Sequence, residues 1–124
     1  MTQAWTWPDV VAEVTAVLAA GIDAPVLTRV PDPRPESFIR VQRVGGAREQ
    51  VLDRARVVVE CWALDEAAAW DLAALARDLL RRARTAPLLH VAETGGPALV
   101  ADPLTGTPRY WLTVEVTARP SPAA

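Results

Sequence analysis

Few side chains in this sequence could do chemistry by themselves. His90 is the only histidine and Cys61 the only cysteine in 124 residues. A nucleophilic triad or a Cys–His pair would have to be built on one of them, with a third group to orient it. His90 lies between Leu89 and Val91 in a β-like stretch, and Cys61, far away in sequence, lies on an apolar face. A lone cysteine excludes an internal disulfide, and no histidine pair or carboxylate cluster has the spacing of metal ligands. Gly45-Gly46 and Gly95-Gly96 lack the Lys-Ser/Thr and the strand-to-helix turn of a phosphate loop. The adjacent carboxylates Asp65 and Glu66 sit where a helix begins, so they serve as its cap and first-turn charge. The residues predict no catalytic centre, no cofactor and no metal.

The stronger signal is for assembly. Five tryptophans are many for a chain of this size, and tryptophan is enriched at interfaces because it joins apolar area to a polar handle. Trp62 and Trp111 fall on the mixed faces of their strands, away from the expected core. Trp70 stands out further. At about 100° per residue it points away from the leucine stripe of its helix, alongside Ala74, Arg77 and Arg81. Two placements are open: a loop or the Trp5–Trp7 segment covers it, or it enters a neighbouring subunit while Arg77 and Arg81 pair with carboxylates across the interface. Arg48 and Glu49, in a projecting hairpin tip over 45–50, are expected to order against a neighbour as well. Replacing 47–50 by Gly-Ser should therefore leave the thermal transition nearly unchanged.

These residues are positioned by a strand–helix unit over 53–84. Odd positions Ala55, Val57, Val59, Cys61 and Ala63 make one apolar face of a strand over 53–64, and even positions Arg54, Arg56, Val58, Glu60 and Trp62 a mixed one. A helix follows to Arg84, with a predicted buried stripe of Ala68, Leu72, Leu75, Ala76, Leu79 and Ala83 and with arginines crowding its last turns. An earlier helix is predicted to be capped by Thr6 with Asp9, to bury Val10, Val14, Val17 and Leu18, and to stop at a left-handed Gly21. Short strands are expected over 25–30 and 37–44, separated by a stiff proline-rich connector. Gly45-Gly46 is expected to begin the hairpin turn. Pro87 breaks the chain before a strand over 88–93. Turns at 95–97 and 102–108 follow, then a cleanly alternating strand over 110–119. The fold class is α+β: a two-layer mixed, mostly antiparallel sheet of about five strands with two helices on one face. One domain spans 1–119, and 120–124 is expected to fray.

A composition that is 51% hydrophobic can bury a core, and a net charge of −2 does not suggest a grip on nucleic acid. All 13 basic residues are arginine, which with the abundant Ala, Val and Pro reflects a GC-rich genome. Neither a leader pattern nor a run of about 18 apolar residues is present, so the chain is expected to be kept soluble in a cytoplasm or assembled from there.

The sequence also resembles a family. The opening Trp7-Pro-Asp9 helix, Val41-Gln-Arg-Val-Gly-Gly46, Asp53-Arg54 before a strand and an Ala/Leu/Arg helix, and the run Gly96-Pro97, Asp102-Pro103 and Pro108-Arg-Tyr110 into a last strand are similar to tail terminator proteins of long-tailed phages of actinobacteria. The resemblance covers nearly the whole chain. It implies a virion protein, made in the host cytoplasm, that forms a six-membered homo-oligomeric ring on the head-proximal end of the tail tube. That ring stops tube polymerisation and meets the tube protein and the head–tail connector. Double-stranded DNA passes through its lumen without sequence-specific binding, no membrane is involved, and no catalytic residue is implied. Another neck or head-completion component, or a small cellular α+β binding module, is the alternative.

Overall fold

The computed structural model describes residues 4–49 and 51–122. Its centre is β4 (Asp53–Trp62), which is paired antiparallel on one side with β3 (Phe38–Arg48) and on the other with β6 (Arg109–Ala118). With a ladder on both edges and β-branched residues in its middle, β4 suits the interior of a sheet. β5 (Leu88–Leu99) extends the sheet beyond β6, and the two-residue β2 (Val26–Leu27) adds to β3 in parallel, for an order β2-β3-β4-β6-β5. This is the expected α+β class, with a mixed, mostly antiparallel five-stranded sheet. The structure adds a second sheet, in which β1 (Trp5–Thr6) pairs with β7 (Ser121–Pro122). Pro120 and β7 thus return to the N-terminal segment instead of fraying; 123–124 lie outside the described residues.

Both helices, α1 (Val10–Gly21) and α2 (Glu66–Arg81), join one apolar cluster with one face of the sheet. That face carries Ala55, Val57, Val59 and Cys61 as the alternation predicted, with Leu112, Val114 and Val116 beside them, all buried. Burial pushes the Cys61 thiol up to about 12, with the charge of Glu60 adding to the shift, so the thiol is a packed apolar group and not a nucleophile.

Several local expectations are corrected. Asp9, not Thr6, caps α1, accepting from the Ala12 N–H at 3.1 Å, while Thr6 belongs to β1. Gly21 has no positive φ; a Cβ there would meet Leu79 Cδ2 at 2.8 Å, so it is small because α2 crosses close by. The buried stripe of α2 is Ala69, Ala73, Ala76 and Leu80. Ala68 and Leu75 are exposed, and Leu72 and Leu79 are only half-buried. An alanine floor lets the helix lie close on the sheet, which rotates the leucines onto its flank. Asp65 caps α2 as expected, accepting from Ala68 N at 2.8 Å.

The glycine pairs also differ from expectation. Gly45-Gly46 is not the turn: the β3–β4 ladder slips by one residue between Arg43 and Gly45 and then runs on to Arg48↔Asp53. The extra residue is a β-bulge, a place where glycine is favoured because φ turns positive. Arg43 locks the bulge by a bidentate pair to Asp53, both bonds 2.7 Å. Ala47 and Arg48 are consequently ladder residues, so a Gly-Ser swap over 47–50 would cut into the fold; Gln50 lies outside the described residues. Gly95-Gly-Pro97 likewise sits inside β5, where the register shifts around Gly95. The turn at 102–108 forms as predicted. Asp102 accepts from Thr105 Oγ1 at 2.6 Å and Thr105 N at 3.2 Å, and Gly106 takes φ +72°. The Thr105 hydroxyl, helped by Arg34, holds the Asp102 carboxyl below its usual range.

Candidate assembly surfaces

The residues with catalytic potential are not brought together. Cys61 lies opposite Tyr110 on β6 and His90 opposite Thr117, a separation of roughly 20 Å along the strand. His90 is exposed on an edge strand. Among the described residues no three His, Cys, Asp or Glu side chains gather as metal ligands would, and no helix is long and apolar enough to cross a membrane.

The face of the sheet turned away from the helices holds a buried charged cluster that sequence reasoning missed. In register across β3, β4 and β6 stand Arg40, Glu60 and Trp111. Glu60 is 2% exposed. Its carboxylate lies 3.7 Å from Arg40 Nη1 and 3.4 Å from Arg109 Nη1, and accepts from Trp62 Nε1 at 3.3 Å. The Arg109 guanidinium stacks over both Trp62 and Trp111, at 4.9 and 5.0 Å, and donates through Nε to Val100 O at 2.8 Å. Trp62 also stacks on Phe38 at 5.1 Å and carries Arg34 on its ring. Trp62 is therefore core, and the proline-rich 31–36 connector and the 102–108 turn are tied down over it through Arg34, which reaches Asp102 at 3.5 Å and Thr105 at 3.1 Å. Cation–π stacking in so enclosed a place makes this cluster a second small core.

The residues expected at a subunit interface fall into two places. Trp70, Arg77 and Arg81 line one flank of α2, where with Ala74, Asp78 and Pro97 they frame a depression of about 250 Å³. Trp70 stays 43% exposed. Neither a loop nor the Trp5–Trp7 segment is its aromatic partner; its ring and that of Tyr110 make a T-shaped pair with centroids 5.3 Å apart. Arg77, expected to find a carboxylate on another subunit, pairs with Glu93 of β5 at 2.9 Å. Arg81 has no ion pair among the described residues. On the other flank of α2 lies a groove of about 300 Å³ lined by Ser37, Ala68, Asp71, Leu72 and Leu75. The sequence signal for it is Leu75, expected on the buried stripe but exposed here, whereas Leu72 lines the groove and packs partly against the core.

Arg48 and Glu49 lie at the other place, the hairpin end of the sheet. Each has a partner within the chain: Arg48 stacks on the Trp7 ring at 4.3 Å, and Glu49 accepts from Arg54 Nε at 3.0 Å. Beside them Trp5, Trp7, Val51, Leu52, Leu89 and Pro120 line an apolar groove of about 400 Å³, with Arg119 on its rim. Trp5 is 52% and Val51 67% exposed there. Large apolar side chains converging in the open mark a contact surface. The chain matches no family model and no curated protein.

Proposed function

We propose that this chain is a structural virion subunit of the tail terminator kind: a ring-former that caps the head-proximal end of a phage tail tube, stops its growth and joins it to the head connector. The observation that carries this reading is the pair of separate surface depressions with exposed tryptophans, the mixed aromatic and charged Trp70 flank of α2 and the apolar Trp5–Val51–Leu89 groove at the hairpin end. A ligand-binding domain or enzyme concentrates its polar groups in one cleft. A ring subunit must meet lateral neighbours and axial neighbours at once, on different sides. The tube protein and the connector are the axial partners. The net charge of −2 suits a conduit through which DNA slides without being held.

The test is Trp70→Glu, scored for folding and for assembly. The substitution removes the Tyr110 contact and the area that the part-buried indole covers, so the isolated chain is expected to stay folded while losing about 1–3 kcal/mol of stability. In particles it is expected to abolish tail completion, because aromatic anchors at interfaces cost about 2 kcal/mol or more in binding when removed. Normal infectious particles carrying Trp70→Glu would overturn the assignment.

A further inference from the structure

The two flanks of α2 differ in a way that identifies the occupant of one by the other. Trp70 and Leu75 are five positions apart, so they project roughly 140° apart around the helix. The Trp70 flank faces β6 and β5, through Tyr110 and Glu93. The Leu75 flank adjoins Ser37, which leads into β3, on the other side of the sheet. One flank offers a half-exposed indole with Arg81 lacking an ion pair. The other offers a shallow groove lined by Ala68, Leu72, Leu75 and Asp71, with Leu75 41% exposed. Asp71 has no ion pair among the described residues. Apolar surface thus matches apolar surface, and arginine matches carboxylate.

Resting on the ring reading above, we infer that the groove between Ser37 and α2 takes the Trp70 flank of a second copy of this chain, with Arg81 of one copy meeting Asp71 of the next. The two surfaces are different patches that complement each other, so one copy can fill the groove of the next while its own groove takes a third copy. They pair head to tail, and a head-to-tail contact gives a ring where its rotation closes and a filament where it does not; the terminator ring is the closed case. Such a contact carries the β5 edge of one copy towards the β2–β3 edge of the next. The same-sheet edge is blunted there by Pro97 and the slips around Gly95, devices that discourage open-ended strand pairing. Side-chain docking along α2, and not sheet extension, then sets the geometry.

Cross-linking tests the pairing without disturbing the anchor. Ala74 lies on the Trp70 flank and Ala68 on the groove, both exposed. Cys61, fully buried, does not compete for reagent. Ala74→Cys and Ala68→Cys are purified separately, one carrying a mass tag, and treated with a short bismaleimide alone and mixed. The mixture is expected to yield the 74–68 heterodimer, each variant alone to stay uncrosslinked, and the double variant to form a ladder of multimers. Adding Trp70→Glu to the Ala74→Cys chain should lower the yield about tenfold or more. Arg81→Asp should weaken the link, and Asp71→Arg in the other chain should restore it. Links within either single variant, or none in the mixture, overturn the pairing. Multimers seen by light scattering without this link would defeat the pairing and leave the ring reading intact. Absence of the chain from purified particles would defeat the ring reading whatever the cross-links show.

Discussion

Glu60→Ala is expected to lower the stability of the isolated chain by about 3–5 kcal/mol, the range for breaking a buried ion pair from one side. The magnitude follows from what would be stranded. Arg109, 11% exposed in its side chain, would keep its charge between Trp62 and Trp111 with no carboxylate at 3.4 Å. Arg40 would lose its acidic neighbour, and Trp62 Nε1 its acceptor. The loss should reach the 102–108 turn as well, because Arg109 also holds Val100. Glu60→Gln retains an acceptor for Trp62 and should fall between the two. The double variant Glu60→Met with Arg109→Met should be less damaged than Glu60→Ala, since it removes the stranded charge together with its partner. Urea denaturation of the four proteins checks this. A loss below about 1 kcal/mol for Glu60→Ala would mean that the cluster does not hold the outer face together.

Gly46→Ala is expected to cost about 2–4 kcal/mol, from backbone strain and overpacking together. Gly46 has φ +109°, and an added Cβ would run into the Arg54 carbonyl oxygen, with Ala55 Cα and Arg56 N each at 2.9 Å. These are backbone atoms of the central strand and cannot turn aside. The neighbouring Gly45 separates the two causes. Its φ is +131°, yet nothing lies within 4 Å of an added Cβ, so Gly45→Ala carries the strain alone, about 1–2 kcal/mol. Thermal unfolding should place Gly46→Ala roughly 10–20 °C below the parent, with Gly45→Ala between them. Equal shifts for both would show that the β-bulge does not bring Gly46 against β4.

How far the fold could be read from the chain depended on range. The alternation in β4 and β6 gave the helix-side face directly, since a period of two leaves one choice of face. It did not give the burial of Val58, Glu60 and Trp62 on the opposite face of β4. The start of α2 was legible in Asp65, because a cap acts within three residues. The stripe of α2 was misplaced because leucines outweigh alanines in any hydrophobic pattern, whereas the sheet accepts the small floor of Ala69, Ala73 and Ala76. Gly45-Gly46 signals positive φ equally for a turn and for a bulge, and only the partner strand decides between them. The Trp70 flank was legible as an aromatic off the stripe. The Leu72–Leu75 groove was hidden by the same error of rotation. Arg34 and Asp102 are 68 residues apart, and Arg109 and Glu60 49; no local pattern announces such pairs.

The measurement that bears most directly on the function is an averaged density map of purified tailed particles carrying this chain. It should show the chain as a single closed ring at the head-proximal end of the tail tube. Adjacent copies should meet through Trp70 of one and the Leu72–Leu75 groove of the next, and the lumen should be wide enough for duplex DNA. A chain missing from the particle, or present elsewhere in it without closing a ring on the tube, would contradict the assignment as a tail terminator.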